Sequence, residues 1–253
     1  MPDRNNPRQN RLLAALPTAE FDRLAPDLET IDLSLGDVLY ESGDELRYAY
    51  FPANCIVSLL YVMENGASAE IAVVGNDGII GVALFMGGHS MPNRAVVQSA
   101  GQAYRLRADK LSKEFERHEG RYGGLHDVLL RYTQALITQM TQTAACNRHH
   151  SVDQQLCRWL LLSIDLLDCN ELIMTQELIA NMLGVRREGV TEAAGNLQKA
   201  GLITYSRGHI KVTDRPGLEA RVCECYQVVR ADFKRLLPPP PSIPAVNHFK
   251  TKG

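Results

Sequence analysis

Residues 175–214 read TQELIANMLGVRREGVTEAAGNLQKAGLITYSRGHIKVTD, and the spacing within this stretch decides the fold of the carboxyl half. Leu178, Ile179, Met182 and Leu183 recur at helical intervals, which predicts a short helix over 176–183 with these four facing inward. Gly184 follows where the chain must turn tightly, and a positive φ costs glycine little. A second helix is expected from about Arg186 to Ala200, with Val190, Ala193, Ala194 and Leu197 inward. Its opposite face presents Arg187, Glu188, Thr191 and Glu192, with Gln198 at its end. Helix, short glycine-containing turn and helix form the helix-turn-helix signature. Gly201 suits the position that ends the second helix. Beyond it, 202–205 and 209–212 alternate as two strands about Ser206, Arg207 and Gly208, a β-hairpin wing.

Upstream the pattern differs. Residues 11–28 suggest a short helix bearing Leu12, Leu13, Leu16, Phe21 and Leu24, broken by Pro17. Between Ile31 and Arg107 lie seven β-rich runs, IDL, VLY, YAYF, CIVSLLYVM, AEIAVV, AVVQS and AYRLR, separated by glycine-rich turns. Short strands at this rhythm indicate a β-roll or jelly roll. The period turns helical near Asp109, a plausible N-cap. After Gly123 and Gly124, the residues Tyr122, Leu125, Leu129, Tyr132, Leu136 and Met140 mark an apolar seam on a helix of roughly 20 residues. That seam either pairs two protomers or packs the helix on its own β-domain; the helix-turn-helix downstream of it favours pairing. Further helices are expected over Val152 to Leu167 and over 218–237, and the tail PPPPSIPAVNHFKTKG lacks periodicity and reads as disordered.

The whole chain has 253 residues and a formal charge of −2, but the charge is uneven. Residues 1–145 carry net −5, residues 146–215 are neutral, and residues 216–253 carry +3. Within 186–211 five basic residues face two acidic ones, so a polyanion would meet the carboxyl half. No apolar run approaches the roughly 18–20 residues of a membrane helix, and the first residues lack the apolar segment of a secretory signal. Six cysteines are scattered rather than framed at metal or disulfide spacing, as expected of a cytoplasmic protein with reduced thiols and no metal site. Cys223 and Cys225, one residue apart on an expected helix, should point in different directions; His149 and His150 sit at a hinge, more suited to solvent or phosphate than to a metal. No nucleophile–base constellation or Walker loop is present, and an enzyme is not expected.

With these elements in order, the chain resembles the Crp/Fnr family (cAMP-receptor-protein/fumarate-nitrate-reduction regulators). The words TQELIA, LGVRREGV and LQKAGLI and the short wing carry the resemblance. It implies an α+β architecture: a cyclic-nucleotide-binding-like β-roll domain over 1–120, a dimerisation helix and hinge over 121–147, a winged helix-turn-helix over 148–237, and the tail over 238–253. It implies a sequence-specific transcription regulator acting as a homodimer on an inverted repeat of double-stranded DNA, with RNA polymerase and an unidentified small-molecule effector as further partners and no membrane. Arg187 and Glu188 match the Arg-Glu pair that reads bases in this family. An Arg can grip guanine O6 and N7 in bidentate fashion, and a Glu can accept from cytosine N4. Thr175, Gln176, Arg186, Thr191, Glu192, Arg207, His209 and Lys211 complete the expected DNA-facing set. Glu192 stands where relatives reading a TGTGA half-site carry a second Arg, so that half-site is not carried over.

The resemblance also locates the nucleotide site, and the sequence departs from it there. The matching stretch is GNDGIIGVALFMGGHSMPNRAVVQS. Arg94 falls at the phosphate-binding Arg and is the one effector-pocket candidate, but Ala95 replaces the following Ser or Thr, and Ile80, Gly81 and Val82 occupy the place of the ribose-binding Glu. A ribose hydroxyl left without its partner costs about 1–3 kcal/mol, which argues against cAMP. Arg94 is expected to pair instead with Glu70 or Asp77, or to hold another anion. The alternative reading of the whole chain is an effector-binding signalling module whose winged helix docks a protein partner, with Arg187 and Glu188 forming a local salt pair.

Overall fold

The computed structural model describes residues 6–117, 124–167 and 169–237. Tyr122 and the tail over 238–253 lie outside the described residues. Pro17 interrupts the first helical stretch, separating α1 (Arg11–Ala14) from α2 (Thr18–Leu24). Seven strands follow at the places of the seven β-rich runs: β1 (Glu29–Leu33), β2 (Val38–Tyr40), β3 (Tyr48–Pro52), β4 (Ile56–Val62), β5 (Ser68–Val74), β6 (Arg94–Ser99) and β7 (Gly101–Arg107). They form two antiparallel sheets, β1-β7-β3 and β2-β6-β4-β5. Phe51, Val57, Leu59, Ala72, Val97, Tyr104 and Leu106 fill the core of this roll.

Helix α3 (Ala108–Phe115) starts one residue ahead of the expected cap. Asp109 lies inside its first turn and pairs with Arg107, so it does not serve as N-cap. The long helix α4 (Gly124–His149) has its first backbone amides held by the Glu20 carboxylate, which accepts from Gly124 N and Leu125 N at 2.8 Å each. An anion at this end also complements the helix dipole.

The apolar seam of α4 packs on its own roll. Leu125, Leu129, Tyr132 and Leu136 are buried in the same core as the strands, and Met140 packs against it. A Cβ on Gly78 would lie 2.7 Å from the Tyr132 hydroxyl, so the glycine is what lets the loop after β5 close over the ring. The expectation that this seam pairs protomers is therefore wrong for these residues. Periodicity reports that a helix has a buried face; it does not say against what. A second stripe on the same helix remains outside: Leu130 is 46% exposed, Ile137 54%, and Ala144 is exposed, spaced by seven.

The carboxyl half begins with α5 (Val152–Asp165), started by a capping box in which the Ser151 hydroxyl accepts from Gln154 N and the Gln154 side chain returns to Ser151 N. Next come β8 (Glu171–Ile173), α6 (Gln176–Leu183), α7 (Arg187–Lys199), β9 (Ile203–Ser206) and β10 (His209–Val212). The wing is thus a three-stranded antiparallel sheet, β8-β10-β9, with one strand more than the sequence suggested. Leu156, Trp159, Leu160, Ile179, Val190, Leu197, Ile203 and Ile210 make a second core, joined by Leu60 from β4 of the roll. The single helix expected over 218–237 is two, α8 (Arg215–Arg221) and α9 (Glu224–Leu236), with extended backbone at Val222 and Cys223 between them. Helix α9 returns along α4, where Thr138 Oγ1 donates to Asp232 at 2.6 Å and Phe233 meets the Tyr132 ring edge-on.

Candidate nucleic-acid interface

The helix-turn-helix folds from the residues expected to build it. Thr175 caps α6, its hydroxyl accepting from Leu178 N at 3.2 Å. Gly184 ends the helix at φ 65°, in the left-handed region, and turns the chain into α7. Val190, Ala193, Ala194 and Leu197 are buried, and Arg186, Arg187, Glu188, Thr191 and Glu192 are exposed. The local Arg187–Glu188 salt pair of the alternative reading does not form. Among the described residues Arg186, Arg187, Arg207 and Lys211 take no carboxylate partner. Four cations are therefore left facing solvent, two at the start of α7 and two on the wing.

The remaining expected residues divide by what they touch. The Thr191 hydroxyl lies 2.8 Å from Gln176 Oε1 and 3.0 Å from the Arg187 carbonyl, so it locks the start of α6 to α7. Gln198 does not stand free: its Oε1 accepts from Tyr205 N at 2.8 Å and holds the wing to the helix end. Tyr205 in turn donates to the Met174 carbonyl at 2.9 Å. His209 Nδ1 meets Glu171 Oε1 at 2.9 Å across the β8–β10 pair, leaving Nε2 on the outside. Arg207 sits at the wing tip with φ 51°, the one non-glycine positive φ among the described residues, and its side chain is exposed. A groove of about 270 Å³ runs between Thr175 and Gln176 on one side and the wing residues 205–208 on the other, with Arg187 at its wall. A cationic groove beside an exposed helix amino end is the shape that admits a phosphate backbone while the helix reaches base edges.

The nucleotide region carries no comparable chemistry. Gly81 (φ 100°) opens a short 3-10 turn, Val82–Phe85, and all four of its residues are buried apolar side chains. Ile80 is buried as well, so no carboxylate stands where a ribose would need one. Arg94, partly exposed on β6, pairs with Glu41, Nε to Oε2 at 3.1 Å, without the alignment of a hydrogen bond. The expected pairing with Glu70 or Asp77 does not occur. Glu70 is buried elsewhere and Asp77 is half-buried, and desolvation pushes Glu70 up to about 7 and Asp77 up to about 6.

One cluster was missed by the sequence reading. Cys223 and Cys225 do not diverge: they converge with Cys146 and His150, although His149 stays exposed. Cys223 is the N-cap of α9, with φ −73° and ψ 165°, and Cys225 lies inside the first turn. The two thiols straddle a helix start rather than ride on a helix, which removes the roughly 100° step between neighbouring helical side chains that would have separated them.

Residues 154–221 match the Crp-like helix-turn-helix domain family, and residues 30–118 match the cyclic nucleotide-binding domain family. Among solved structures, a transcriptional regulator of the crp/fnr family from Eubacterium rectale is 17% identical, with a TM-score of 0.65 over 87% of this chain and 99% of that one. FixK2 from Bradyrhizobium japonicum is 15% identical (TM-score 0.63; 78% and 98% covered), and a CRP-family transcriptional regulator from Thermus thermophilus is 19% identical (TM-score 0.62; 75% and 95% covered). No curated protein matches the sequence. At these identities the solved structures speak for the fold, and the two matched domains occur in the order the architecture requires.

Proposed function

We propose that this chain, which belongs to the Crp/Fnr family of transcription regulators and carries that family's helix-turn-helix DNA-binding domain, reads an inverted-repeat operator as a homodimer under the control of an effector other than cAMP. The observation that carries the DNA reading is the exposed amino end of α7, where Arg186, Arg187 and Glu188 have no ion-pair partner among the described residues and stand beside a groove edged by Arg207. Arg187 and Glu188 would read base edges. Arg207, Lys211, the outer nitrogen of His209 and the amino end of α6 at Thr175 and Gln176 would hold phosphates. Thr191 would act through Gln176, and Glu192 would disfavour guanine at the base it faces.

The protomers would pair through Leu130, Ile137 and Ala144, the stripe of α4 that the roll leaves open. Two recognition helices about one helical turn of DNA apart, roughly 34 Å, require such symmetry. With no carboxylate for a ribose and with Arg94 turned to Glu41, the roll would answer to a different input. The protein would act in the cytoplasm. No described helix is long and apolar enough to cross a membrane.

The test is fluorescence anisotropy on a duplex selected from a random pool, at two salt concentrations, with and without cAMP. Saturable binding that outcompetes random DNA, weakens with salt and ignores cAMP is the expected result. The variant Arg187→Glu should lose about 1–3 kcal/mol per half-site on its favoured sequence. Undiminished affinity in that variant refutes the base-reading role, and a large cAMP response refutes the reading of the roll.

A further inference from the structure

Two thiols and an imidazole are rarely brought together by accident, and here a third thiol joins them. Cys146 lies in the last turn of α4 and His150 directly after it, its N–H still bonded to the Cys146 carbonyl at 3.0 Å, and Cys223 and Cys225 sit at the start of α9. The four donor atoms all lie within 4.8 Å of one another. Cys146 Sγ is 3.6 Å from Cys223 Sγ, and Cys225 Sγ is 3.6 Å from His150 Nδ1. Around a tetrahedral zinc ion, with Zn–S about 2.3 Å and Zn–N about 2.0–2.1 Å, neighbouring donors stand about 3.5–3.8 Å apart. Both distances are already edges of that tetrahedron.

The surroundings agree with a closed site. All three cysteines are buried, with Val222 packed beside them. The other imidazole nitrogen, His150 Nε2, faces Glu224 Oε2 at 3.3 Å. A carboxylate on the outer nitrogen fixes the tautomer and turns Nδ1 inward as an acceptor, the usual support of a metal-bound histidine. Cys223 is the N-cap of α9 and Cys225 lies in its first turn, so the positive end of the helix dipole stands at the cluster, which suits the net negative charge of three thiolates on a divalent ion. An iron–sulfur cluster would place several atoms between its ligands and needs them further apart than these four are.

We propose that Cys146, His150, Cys223 and Cys225 bind one zinc-class divalent ion as a closed Cys3His site. Loading converts three thiols to thiolates, forms three metal–sulfur bonds and one metal–nitrogen bond, and releases three protons. Because Cys146 and Cys223 are 77 residues apart, the ion would fasten the far end of α4 to α9 and so fix the winged helix against the long helix. Metal or thiol state then becomes an input to the DNA-binding domain.

The experiment uses the full chain, purified with reductant. Elemental analysis should find one zinc per chain that survives gel filtration, and the chelated protein loaded with Co2+ should show the strong visible bands of a tetrahedral thiolate complex. Cys223→Ser should abolish stoichiometric metal, whereas Cys169→Ser, at an exposed cysteine outside the cluster, should keep it. His150→Asn, at the half-buried rim, keeps the test independent of folding: it should retain the parent far-ultraviolet circular dichroism and lose or shift the cobalt bands. A reduced, chelated chain that takes up neither Zn2+ nor Co2+ overturns the proposal. So does iron with acid-labile sulfide in anaerobically purified protein, or metal retained in full by Cys223→Ser.

Discussion

Glu70, on β5, ends a hydrogen-bond chain that crosses from the roll into α5, and its substitution by Gln should change how stability depends on pH. Ser58 Oγ lies 2.6 Å from Glu70 Oε2 and 2.7 Å from Gln98 Oε1, and Gln98 Nε2 donates to Ser163 Oγ at 3.1 Å. One hydroxyl hydrogen cannot serve two acceptors. With the Gln98 amide oriented to donate to Ser163, both contacts form at once when Glu70 keeps its proton and donates to Ser58, which then donates to Gln98; an ionised Glu70 takes the Ser58 hydrogen itself. Burial favours the same state: it pushes the carboxyl up to about 7, against smaller opposing pulls from Ser58 and the Arg158 guanidinium. The folded protein therefore holds this proton more tightly than the unfolded chain, where the ordinary value is 4.5. Stability from this group is fully present below about 4.5, falls as pH climbs toward about 7, and levels off above it. The gap corresponds to about 3 kcal/mol. The amide of the Glu70→Gln variant has no proton to lose in this range and can still donate to Ser58. Urea unfolding followed by the fluorescence of Trp159, the only tryptophan, should find Glu70→Gln equal to the parent near pH 4.5 and more stable by up to about 3 kcal/mol at pH 8. The half-buried Asp77 slopes in the same direction between about 3.8 and about 6 in both proteins, so the difference between them isolates Glu70. Parallel stability curves for parent and variant refute the assignment.

Three further outcomes are expected. Ile137→Glu, with its side chain on the open stripe of α4, should dissociate the proposed dimer in sedimentation velocity while leaving the monomer fold intact, because Ile137 is 54% exposed and stands outside the roll core. Gly184→Ala should cost about 1–2 kcal/mol for a left-handed φ, a fall of roughly 2–8 °C in Tm; its Cβ would also come 3.1 Å from that of Ala69, so the loss should not be smaller. Lys211→Ala, an exposed wing cation, should weaken binding uniformly across sequences and lower the salt slope by about one, in contrast to the sequence-selective loss in Arg187→Glu.

How much of the molecule was legible in the sequence depends on which signals are local. The seven strands and α6 were legible because strand alternation, turn glycines and caps act within a few residues. The helix-turn-helix was legible twice, from its periodicity and from its resemblance to known regulators. Helix α4 shows where this ends. Its strongest seam, Leu125 to Leu136, is the face that its own roll covers, while the weaker stripe through Leu130 and Ile137 was overlooked because polar residues dilute it. Arg94 shows the same limit for charge: Glu41, far upstream in sequence, holds it, and no spacing rule points there.

The cysteine cluster depends on two events that no motif encodes together. Helix α9 must begin at Cys223 rather than run through it, and the chain must return 77 residues later to the end of α4. A C-x-C pair read as continuous helix separates its sulfurs; the same pair across an N-cap brings them together. The only local hint was the i, i+4 spacing of Cys146 and His150, which places two donors on one helical face. If the four residues hold an ion, the departures at Ile80–Val82 and the cluster at the hinge belong to one account. A roll with no carboxylate where a ribose would need one would not have to bind a nucleotide if a metal at the junction of α4 and α9 set the angle of the DNA-binding domain instead. That account makes a demand beyond metal content: chelation should change DNA affinity in the parent protein and should leave it unchanged in Cys223→Ser.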